Sequence, residues 1–505
     1  MGALPRLTSP ILTLALCGAA TAAIYVLRFT LPYGISTGIE APLSHFGSIS
    51  GGSAQAAAGL IATIAALFLL YAIAIRECHR LEGSRVARAI VYGGGAASAL
   101  ALLWMYPVFS LDVFYYMSAD RIWSVFRENP FIVPPLQAAH DAFFPYTRWG
   151  HYPLPYGPLW PWLTAATGWF GGGQIAATLV AFKTLAILGY LICLPLVSWA
   201  AAGLGHQRRL ASLCIFAWNP LVLLELAGGG HNDAVALVPA ILAVGLWLRG
   251  ATRSALLSLT LSLLVKATGI VLLPALAWSG LKRAAEQGQA LRWLGTHVAP
   301  AVLLAVGAWA PFGLQAAAGQ LREAGQYYQT ITAVVAGLAP PSIDSFPVRA
   351  LQAVLVPAFL AAYFSQRRSL ATEGAPGLRS IWGITVFYFL VVTPFLSPWY
   401  MIWPTAYAAI LAERRITVLS MLLGFGGLSS YVVPFVLRPA LGLGPVESSA
   451  LGLLLISGPF LIGLAVNEAR RRSLRSSGSQ IFTDTWRPVP ARAVEPSSGA
   501  RPSEL

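Results

Sequence analysis

Charged residues are scarce in this sequence. Only 10% of its 505 residues are Asp, Glu, Lys or Arg, whereas 57% are hydrophobic and the mean hydropathy is +0.67. Globular domains carry about 25% charged residues, so this chain lacks the charge to cover a soluble surface. Apolar runs of about 20 residues recur along it, and such a run crosses about 30 Å of hydrocarbon as a helix. The composition excludes a soluble protein and predicts an all-α, polytopic bundle of transmembrane helices.

Cysteine is also rare, and its spacing excludes two classes of small scaffold. The four cysteines, Cys17, Cys78, Cys193 and Cys214, are widely separated and lie mostly inside apolar runs. Because no Cys-x-x-Cys pair or other metal-ligand spacing occurs, neither a disulfide framework nor a zinc site is indicated. The sequence predicts no metal-ligand cluster, and it leaves the cofactor open, a divalent metal included.

Acidic residues are fewer than basic ones, 19 against 33, which gives a net charge of +14. A basic chain can bind nucleic acid, but the distribution of charge argues against that partner here. If the N-terminus is cytoplasmic, about 24 of the 33 basic residues fall on loops of the inner side, as the positive-inside rule expects. The charge therefore predicts a multi-pass protein of the cytoplasmic membrane, with both termini in the cytoplasm and lipids as its surroundings.

The apolar runs predict about 12 to 13 spans. The first run also resembles a signal peptide, but its length favours an uncleaved span. A further apolar piece, 158–170, is too short to span and is predicted to lie at the outer interface. The predicted spans are 9–28, 54–75, 89–109, 174–201, 209–227, 233–249, 293–314, 346–366, 380–396, 398–412, 416–437 and 449–467.

One apolar run, 254–279, has basic residues at both ends, which a straight crossing would place on opposite sides. A broken helix pair that turns near Lys266 and returns to the inner side obeys the charge rule. Irregular backbone at membrane depth is tolerated where it is buried in protein or lines a cavity. The sequence therefore predicts a re-entrant hairpin with Lys266 at its tip.

The polar segments divide the rest of the chain. A transmembrane domain is predicted over 1–469, with extracytoplasmic loops at 110–157, which carries amphipathic helices, and at 315–345. From 470 to 505 the chain turns to Arg, Ser, Gly and Pro with little apolar periodicity. Such a composition predicts a disordered cytoplasmic tail.

The first outer loop opens with an ionisable helix pattern. Helical spacing places Asp112, Tyr116 and Asp120 on one face, with the two carboxylates about 12 Å apart. At that distance they are not paired on one atom, so one is a candidate general base and the other a candidate ligand for substrate hydroxyls. The alternative is a solvated amphipathic helix on the membrane surface.

The same loop ends in alternating prolines and aromatic residues, from Trp149 through Tyr156 to Trp160. Stiff turns with flat aromatic faces suit stacking on sugar rings, and they equally suit an aromatic belt at the membrane interface. The sequence leaves both interpretations open.

Glu225 lies inside an apolar run and is followed by three glycines and then by His231, Asn232 and Asp233. An ionisable residue within a membrane is expensive and usually functional, so this segment is predicted to bind a ligand. The alternative is a polar cap that opens the next helix.

Lys266 is a second intramembrane charge. A lysine at a helix break can compensate a phosphate as a point charge. The alternative is a structural pair with a buried carboxylate such as Glu225. Trp399 and Tyr400 form another aromatic cluster at a break between two apolar runs.

Together these motifs resemble the GT-C superfamily of membrane glycosyltransferases, and most closely the polyprenol-phosphomannose-dependent mannosyltransferases. The resemblance covers roughly 90–412. It rests on the segments 112–116, 155–158, 219–233 with Glu225, 266–268 and 397–400. One departure is that Asp112 stands alone where a DxD pair would bind a metal.

The resemblance implies an inverting transfer of a sugar, mannose by likeness, from a polyprenyl-phosphate donor to a lipid-linked or glycan acceptor on the extracytoplasmic face. Asp112 is then the catalytic base, and Lys266, His231 and Arg121 are candidates for the donor phosphate. The residues implied for sugar or acceptor binding are Asp120, Tyr116, Tyr156, Glu225, Asn232, Asp233, Trp399 and Tyr400.

Two other functions share parts of this pattern. Transporters and flippases of lipid-linked saccharides also use broken helices with intramembrane charges. Against a transporter, the polar candidates gather towards one outer face, and the sequence shows no internal repeat. A polymerase or ligase of surface polysaccharide shares the lipid-phosphate chemistry and is a third interpretation.

Overall fold

A computed structural model describes residues 5–205, 208–313, 316–317, 327–338 and 346–476. Within these ranges the protein is built from helices, with isolated β-bridges but no β-strand. The prediction of an all-α, polytopic bundle is confirmed.

Nine helices of the described ranges are long and apolar enough to cross a membrane. A tenth crossing is formed if the bent pair Arg209–Ala217 and Pro220–Gly228 counts as one span. Two other predicted spans, 233–249 and 398–412, correspond to shorter helices, Asp233–Trp247 and Ile402–Leu411. The nine helices are Pro10–Thr30, Ala54–Arg80, Arg85–Leu103, Ile175–Ala202, Ala290–Trp309, Phe346–Ser365, Ala375–Val392, Arg414–Leu441 and Pro445–Arg470.

The bent pair turns by 45° at Asn219 and Pro220. Proline has no N–H and is favoured in the first turn of a helix, and Pro220 is the first residue of the new helix. The Asn219 side chain accepts hydrogen bonds from the N–H groups of Leu221 and Val222 at 3.0 and 3.3 Å. These bonds cap the second helix and carry the chain into the π-helical turn Leu223–Gly228.

Trp218, just before this bend, holds neighbouring spans together. Its indole N–H donates to the carbonyl of Val91 at 2.8 Å. A Cβ on Gly94 would lie 2.6 Å from the indole, and one on Gly18 would lie 2.7 Å from it. The buried Trp218 therefore requires glycine on both facing helices.

The broken pair around Lys266 forms the predicted hairpin. Its arms are Thr252–Leu263 and Leu273–Glu286, and the backbone is extended at Lys266. The Trp247 indole, before the first arm, donates to Ser279 of the second at 3.1 Å. Ser279, in the middle of the second arm, thus lies beside a residue that precedes the first arm. The second arm therefore folds back along the first.

The tip of the hairpin lies against the first outer loop. The N–H groups of Gly157 and Leu159 donate to the carbonyls of Val265 and Leu264 at 3.0 and 2.9 Å. The hairpin therefore brings Lys266 to the segment that contains Tyr156.

The outer loop contains the helix Asp112–Ser124, which packs on the short helix Leu159–Phe170. Asp120 is only 4% exposed between them, and Ser124 Oγ donates to its Oδ2 at 3.2 Å. A side chain at Gly168 would collide with this carboxylate. Burial raises the pKa of Asp120 to about 7, and the smaller effects of Ser124, Thr164 and Arg121 oppose that shift.

Two predicted segments lie partly outside the described residues. Of the loop 315–345, the structure describes 316–317 and 327–338, including the helix Ile331–Leu338. The last helix, Pro445–Ser476, continues past the predicted start of the tail at 470. Residues 477–505 lie outside the described residues.

The hairpin predicts which surface residues share a side of the membrane. The four native cysteines are buried, so single cysteines can be introduced without removing them. With a membrane-impermeant maleimide, we expect S254C and Q287C to react only from the cytoplasmic side and A139C only from outside. Reaction of S254C and Q287C from opposite sides would contradict the hairpin.

The buried carboxyl of Asp120 predicts a pH-dependent stability. In the unfolded chain this carboxyl group ionises above its usual pKa of 3.8, but in the folded protein it keeps its proton up to about pH 7. The contribution of Asp120 to the free energy of unfolding is therefore complete below about pH 4. Between that pH and about 7 it falls by about 1.4 kcal/mol per pH unit, and above about pH 7 it is lost.

We expect D120N to flatten this dependence and to raise the melting temperature at pH 8, because the amide never has to ionise. Thermal unfolding of the purified protein from pH 4 to 8 measures both effects, with E128Q, an exposed carboxylate of the same loop, as the control. A D120N protein that melts lower than the wild type at pH 8 would argue against a buried acid at this position.

Candidate functional site

A cavity of about 400 Å³ opens between the first outer loop and the tip of the hairpin. It contains five residues singled out from the sequence: Asp112, Lys266, Tyr156, Trp399 and Tyr400. The rest of its wall is largely aromatic and proline-rich. These other lining residues include Tyr115, Phe131, Trp149, Tyr152, Thr268, Tyr388, Phe389, Thr393 and Phe395.

Asp112 is positioned as the first residue of its helix. The Trp149 indole N–H donates to Asp112 Oδ1 at 3.2 Å, and the side chain remains 14% exposed. The carboxylate is therefore oriented by the loop and still open to the cavity, which suits it to act on a bound substrate.

Behind Asp112 lies a buried ionisable pair, His231 and Glu225. His231 Nε2 is 3.2 Å from Glu225 Oε2, and His231 Nδ1 is 4.0 Å from Asp112 Oδ2, although neither contact has the alignment of a hydrogen bond. The Tyr431 hydroxyl donates to Glu225 at 2.9 Å. His231 also stacks on Trp399, with ring centres 4.2 Å apart.

The glycines before His231 make this arrangement possible. Gly230 has a φ of +73°, which glycine adopts at little cost. A Cβ on Gly229 would lie 2.9 Å from both the Glu225 carbonyl and the His231 ring. The turn therefore folds His231 back towards Glu225 only because side chains are absent.

Lys266 is paired with a carboxylate, as one of the two sequence interpretations expected, but the partner is Asp233 and not Glu225. Its Nζ lies 2.6 Å from Asp233 Oδ2 and donates to Asn232 Oδ1 at 3.0 Å. The Trp403 indole holds the other oxygen of Asp233 at 2.8 Å. Asp233 and Asn232 are fully or almost fully buried, and the Asn232 Nδ2 has no hydrogen-bond partner among the described residues.

Aromatic rings surround this cluster. The Tyr116 hydroxyl donates to Asn232 Oδ1 at 3.4 Å, and Tyr116 lies edge-on to Tyr156. Lys266 Nζ lies 5.6 and 5.7 Å from the ring centres of Tyr156 and Tyr400. The structure thus brings Tyr116, Asn232 and Asp233 together beneath the cavity floor.

Two predicted site residues lie elsewhere. Asp120 is enclosed by the Leu159–Phe170 helix, and Arg121 forms a salt bridge with Asp141 at 2.6 Å. Neither residue lines the cavity. Each of the two side chains instead contacts other residues of its own loop region. The roles in sugar and phosphate binding that the resemblance implied for them stay predictions.

His231 lies behind the cavity wall. It is 0% exposed and is covered by Trp399, and it does not line the cavity. It lies between Glu225 and Asp112, and its predicted contact with the donor phosphate stays a prediction. Glu225, at 2% exposure, is likewise behind the cavity and does not contact its contents.

A second, smaller cavity of about 90 Å³ lies on the other side of Asp112. The two cavities share Asp112, Trp149, Phe395 and Trp399 as a wall. The second cavity also contains residues that the sequence reasoning missed: His45, Arg148, Tyr328, Gln329 and Arg438. A signal for two of them was present in the sequence. Arg148 and Arg438 fall on the predicted outer side, whereas most basic residues fall on the predicted inner loops.

Within the described residues, no group of three or more His, Cys, Asp or Glu side chains is arranged to hold a metal ion. The ionisable groups that the structure brings together at the site are one accessible carboxyl group, Asp112, the buried His231 and Glu225, and the Lys266–Asp233 pair.

Comparison with known proteins agrees with this geometry. Residues 14–282, more than half of the chain, match the family model described as alpha-(1->6)-mannopyranosyltransferase, N-terminal domain. That range contains Asp112, Glu225, His231, Asp233 and Lys266.

Three similar proteins carry the corresponding name. The chain is 26% identical to alpha-(1->6)-mannopyranosyltransferase A of Mycobacterium tuberculosis over 66% of each chain. It is 28% identical to alpha-(1->6)-mannopyranosyltransferase A of Corynebacterium glutamicum over 37% of this chain and 38% of that protein. It is 25% identical to alpha-(1->6)-mannopyranosyltransferase B of the same organism over 65% of this chain and 60% of that protein.

The matched regions thus span between 38% and 66% of the length of these relatives. The resemblance to membrane mannosyltransferases drawn from the motifs is confirmed by the family match. The chain belongs to the alpha-(1->6)-mannopyranosyltransferase N-terminal domain family.

Proposed function

We propose that this protein is a membrane mannosyltransferase that transfers mannose from a polyprenyl-phosphate donor to a glycolipid or glycan acceptor. The observation that carries the proposal is the position of Asp112, an oriented and accessible carboxylate on the wall shared by two cavities. The names of the relatives support the sugar and the reaction class.

The proposal includes the side of the membrane. The cavity lies at the end of the bundle that carries the first outer loop, and the Arg-rich loops lie on the other side in the predicted topology. We therefore place the site on the extracytoplasmic face of the cytoplasmic membrane and both termini in the cytoplasm. A lipid-linked donor suits this location, because its chain can lie in the membrane while its head group enters the cavity.

One accessible carboxylate favours an inverting single displacement. The acceptor hydroxyl gives its proton to Asp112 as its oxygen bonds to the anomeric carbon of the donor sugar. At the same time the bond from that carbon to the phosphate oxygen breaks, and the electron pair leaves with the phosphate. General-base assistance of this kind contributes about 10²–10⁴-fold in rate.

The Lys266–Asp233 pair and the aromatic wall supply sugar recognition. Lys266 lines the cavity and can donate a hydrogen bond to a sugar hydroxyl, while Asp233 and Asn232 hold its ammonium group from beneath. Trp399, Tyr400 and Tyr156 present flat faces to a sugar ring. Tyr116 supports this group from beneath through its bond to Asn232.

His231 and Glu225 act through Asp112 as positioning residues. Burying Glu225 in an apolar bundle requires a partner for its carboxyl group, and His231 Nε2 lies 3.2 Å from it. His231 Nδ1 is 4.0 Å from Asp112 Oδ2. The imidazole therefore lies between the two carboxyl groups and limits the positions that the Asp112 side chain can take.

The base assignment predicts that D112N loses about 10²–10⁴-fold in kcat, although the amide can still accept the Trp149 hydrogen bond. The measurement is transfer of labelled mannose from polyprenyl-phosphate mannose to a mannoside acceptor by the purified protein. E128Q, an exposed acid of the same loop, is expected to retain activity. Full transfer by D112N would contradict the assignment, and movement of intact donor without transfer would indicate a flippase.

The positioning role predicts a split between kcat and KM for H231Q. Without the imidazole behind it, the Asp112 carboxyl group can leave the orientation in which it accepts the acceptor proton. We expect kcat to fall about tenfold or more, equivalent to about 1.4 kcal/mol, with little change in KM. H297Q, at a histidine outside the site, serves as the matched control, and a rise in KM for both substrates without a fall in kcat would contradict the positioning role.

A further inference from the structure

The three cations predicted to bind the donor phosphate all have other partners. Lys266 and Arg121 lie 2.6 Å from Asp233 and Asp141, and the buried His231 lies between Glu225 and Asp112. A phosphate at Lys266 would have to displace a carboxylate that Trp403 also holds. Compensation of the leaving group must therefore come from another positive charge near Asp112.

Arg148 and Arg438 are such charges. Both line the second cavity, whose wall includes Asp112. Among the described residues no carboxylate lies within 4.0 Å of either guanidinium. Basic residues are disfavoured on the outer side of a membrane protein. Two arginines that have no carboxylate partner in the described ranges, at one cavity of the predicted outer side, therefore indicate an anionic ligand.

The charges of these arginines act on two other residues that line the cavity, Tyr328 and His45. Burial raises the pKa of Tyr328 to about 12, and the charges of Arg148 and Arg438 both oppose that rise. Both guanidinium groups therefore act on the same hydroxyl. Burial, followed by Arg148, lowers the pKa of His45, so that histidine is neutral at pH 7. The side chains of the cavity then carry a net charge of about +1, from two arginines and Asp112.

Gln329 is an independent sign of a ligand. It lines the same cavity, is 2% exposed, and has no hydrogen-bond partner for Oε1 among the described residues. Its φ of +50° is strained for a side chain of this size. A buried, unpartnered carbonyl oxygen on strained backbone is ready to accept a hydrogen bond from a polar ligand.

We propose that Arg148 and Arg438 bind the phosphodiester of the lipid-linked donor in the second cavity. Gln329 Oε1 accepts a hydrogen bond from a hydroxyl of the donor sugar. The anomeric carbon then reaches Asp112 at the shared wall, and the acceptor glycan occupies the larger aromatic cavity. When the anomeric C–O bond breaks, the new negative charge on the phosphate oxygen lies beside the two arginines. This assignment rests on the proposed function and identifies where each substrate binds.

The test separates phosphate binding from transfer. Farnesyl phosphate, a short isoprenyl phosphate, is titrated into the full-length protein in neutral-lipid nanodiscs by calorimetry, with farnesol as the uncharged control. We expect the R148Q/R438Q double variant to bind farnesyl phosphate at least about tenfold more weakly than the wild type, about 1.4 kcal/mol. R127Q, which replaces an exposed arginine of the same loop as Arg148, is expected to bind it like the wild type.

Kinetics identify the substrate that carries the phosphate. The double variant is expected to raise KM for polyprenyl-phosphate mannose about tenfold or more and to leave KM for the mannoside acceptor within about threefold. A rise in acceptor KM alone, or weaker farnesyl phosphate binding in K266Q and not in the double variant, would overturn the assignment. Wild-type protein that binds farnesyl phosphate but transfers no sugar would instead contradict the proposed function.

Discussion

The burial of Glu225 is the constraint on which the rest of the site depends. Glu225 is 2% exposed in an apolar bundle, so its carboxyl group needs polar partners. The Tyr431 hydroxyl, from a helix near the C-terminus, donates to it, and His231, after a glycine turn, places Nε2 3.2 Å from it. Because His231 Nδ1 also lies 4.0 Å from Asp112 Oδ2, the partners of one buried carboxyl group form the support behind the residue that we propose as the base.

The architecture was largely predictable from hydropathy and charge. Long apolar runs identified the spans, and the basic residues on both sides of 254–279 predicted a hairpin, with which the Trp247–Ser279 contact agrees. The same reasoning grouped Asp112, Lys266 and Asp233, because each is an ionisable residue next to an interruption of apolar sequence. Burying an ionisable residue in a membrane is costly, so such residues are rare in apolar segments and can be recognised from a single sequence.

The pairing of these residues could not be predicted, because the partners are distant along the chain. Glu225 and Tyr431 are 206 positions apart, and Trp403 reaches Asp233 across 170. Hydropathy and helical spacing say nothing about contacts at that range. Arg121 appeared available for a phosphate until the fold paired it with Asp141, and Arg148 and Arg438 gained meaning only when two distant segments met at one cavity.

The central claim is that Asp112 separates a basic donor cavity from an aromatic acceptor cavity. The most direct test is a cryo-EM structure with a non-transferable phosphonate analogue of the polyprenyl-phosphate mannose donor. The account predicts phosphonate oxygens within hydrogen-bond distance of Arg148 and Arg438, with the sugar directed towards Asp112. A phosphonate bound at Lys266 in the larger cavity, with the smaller cavity empty, would contradict it.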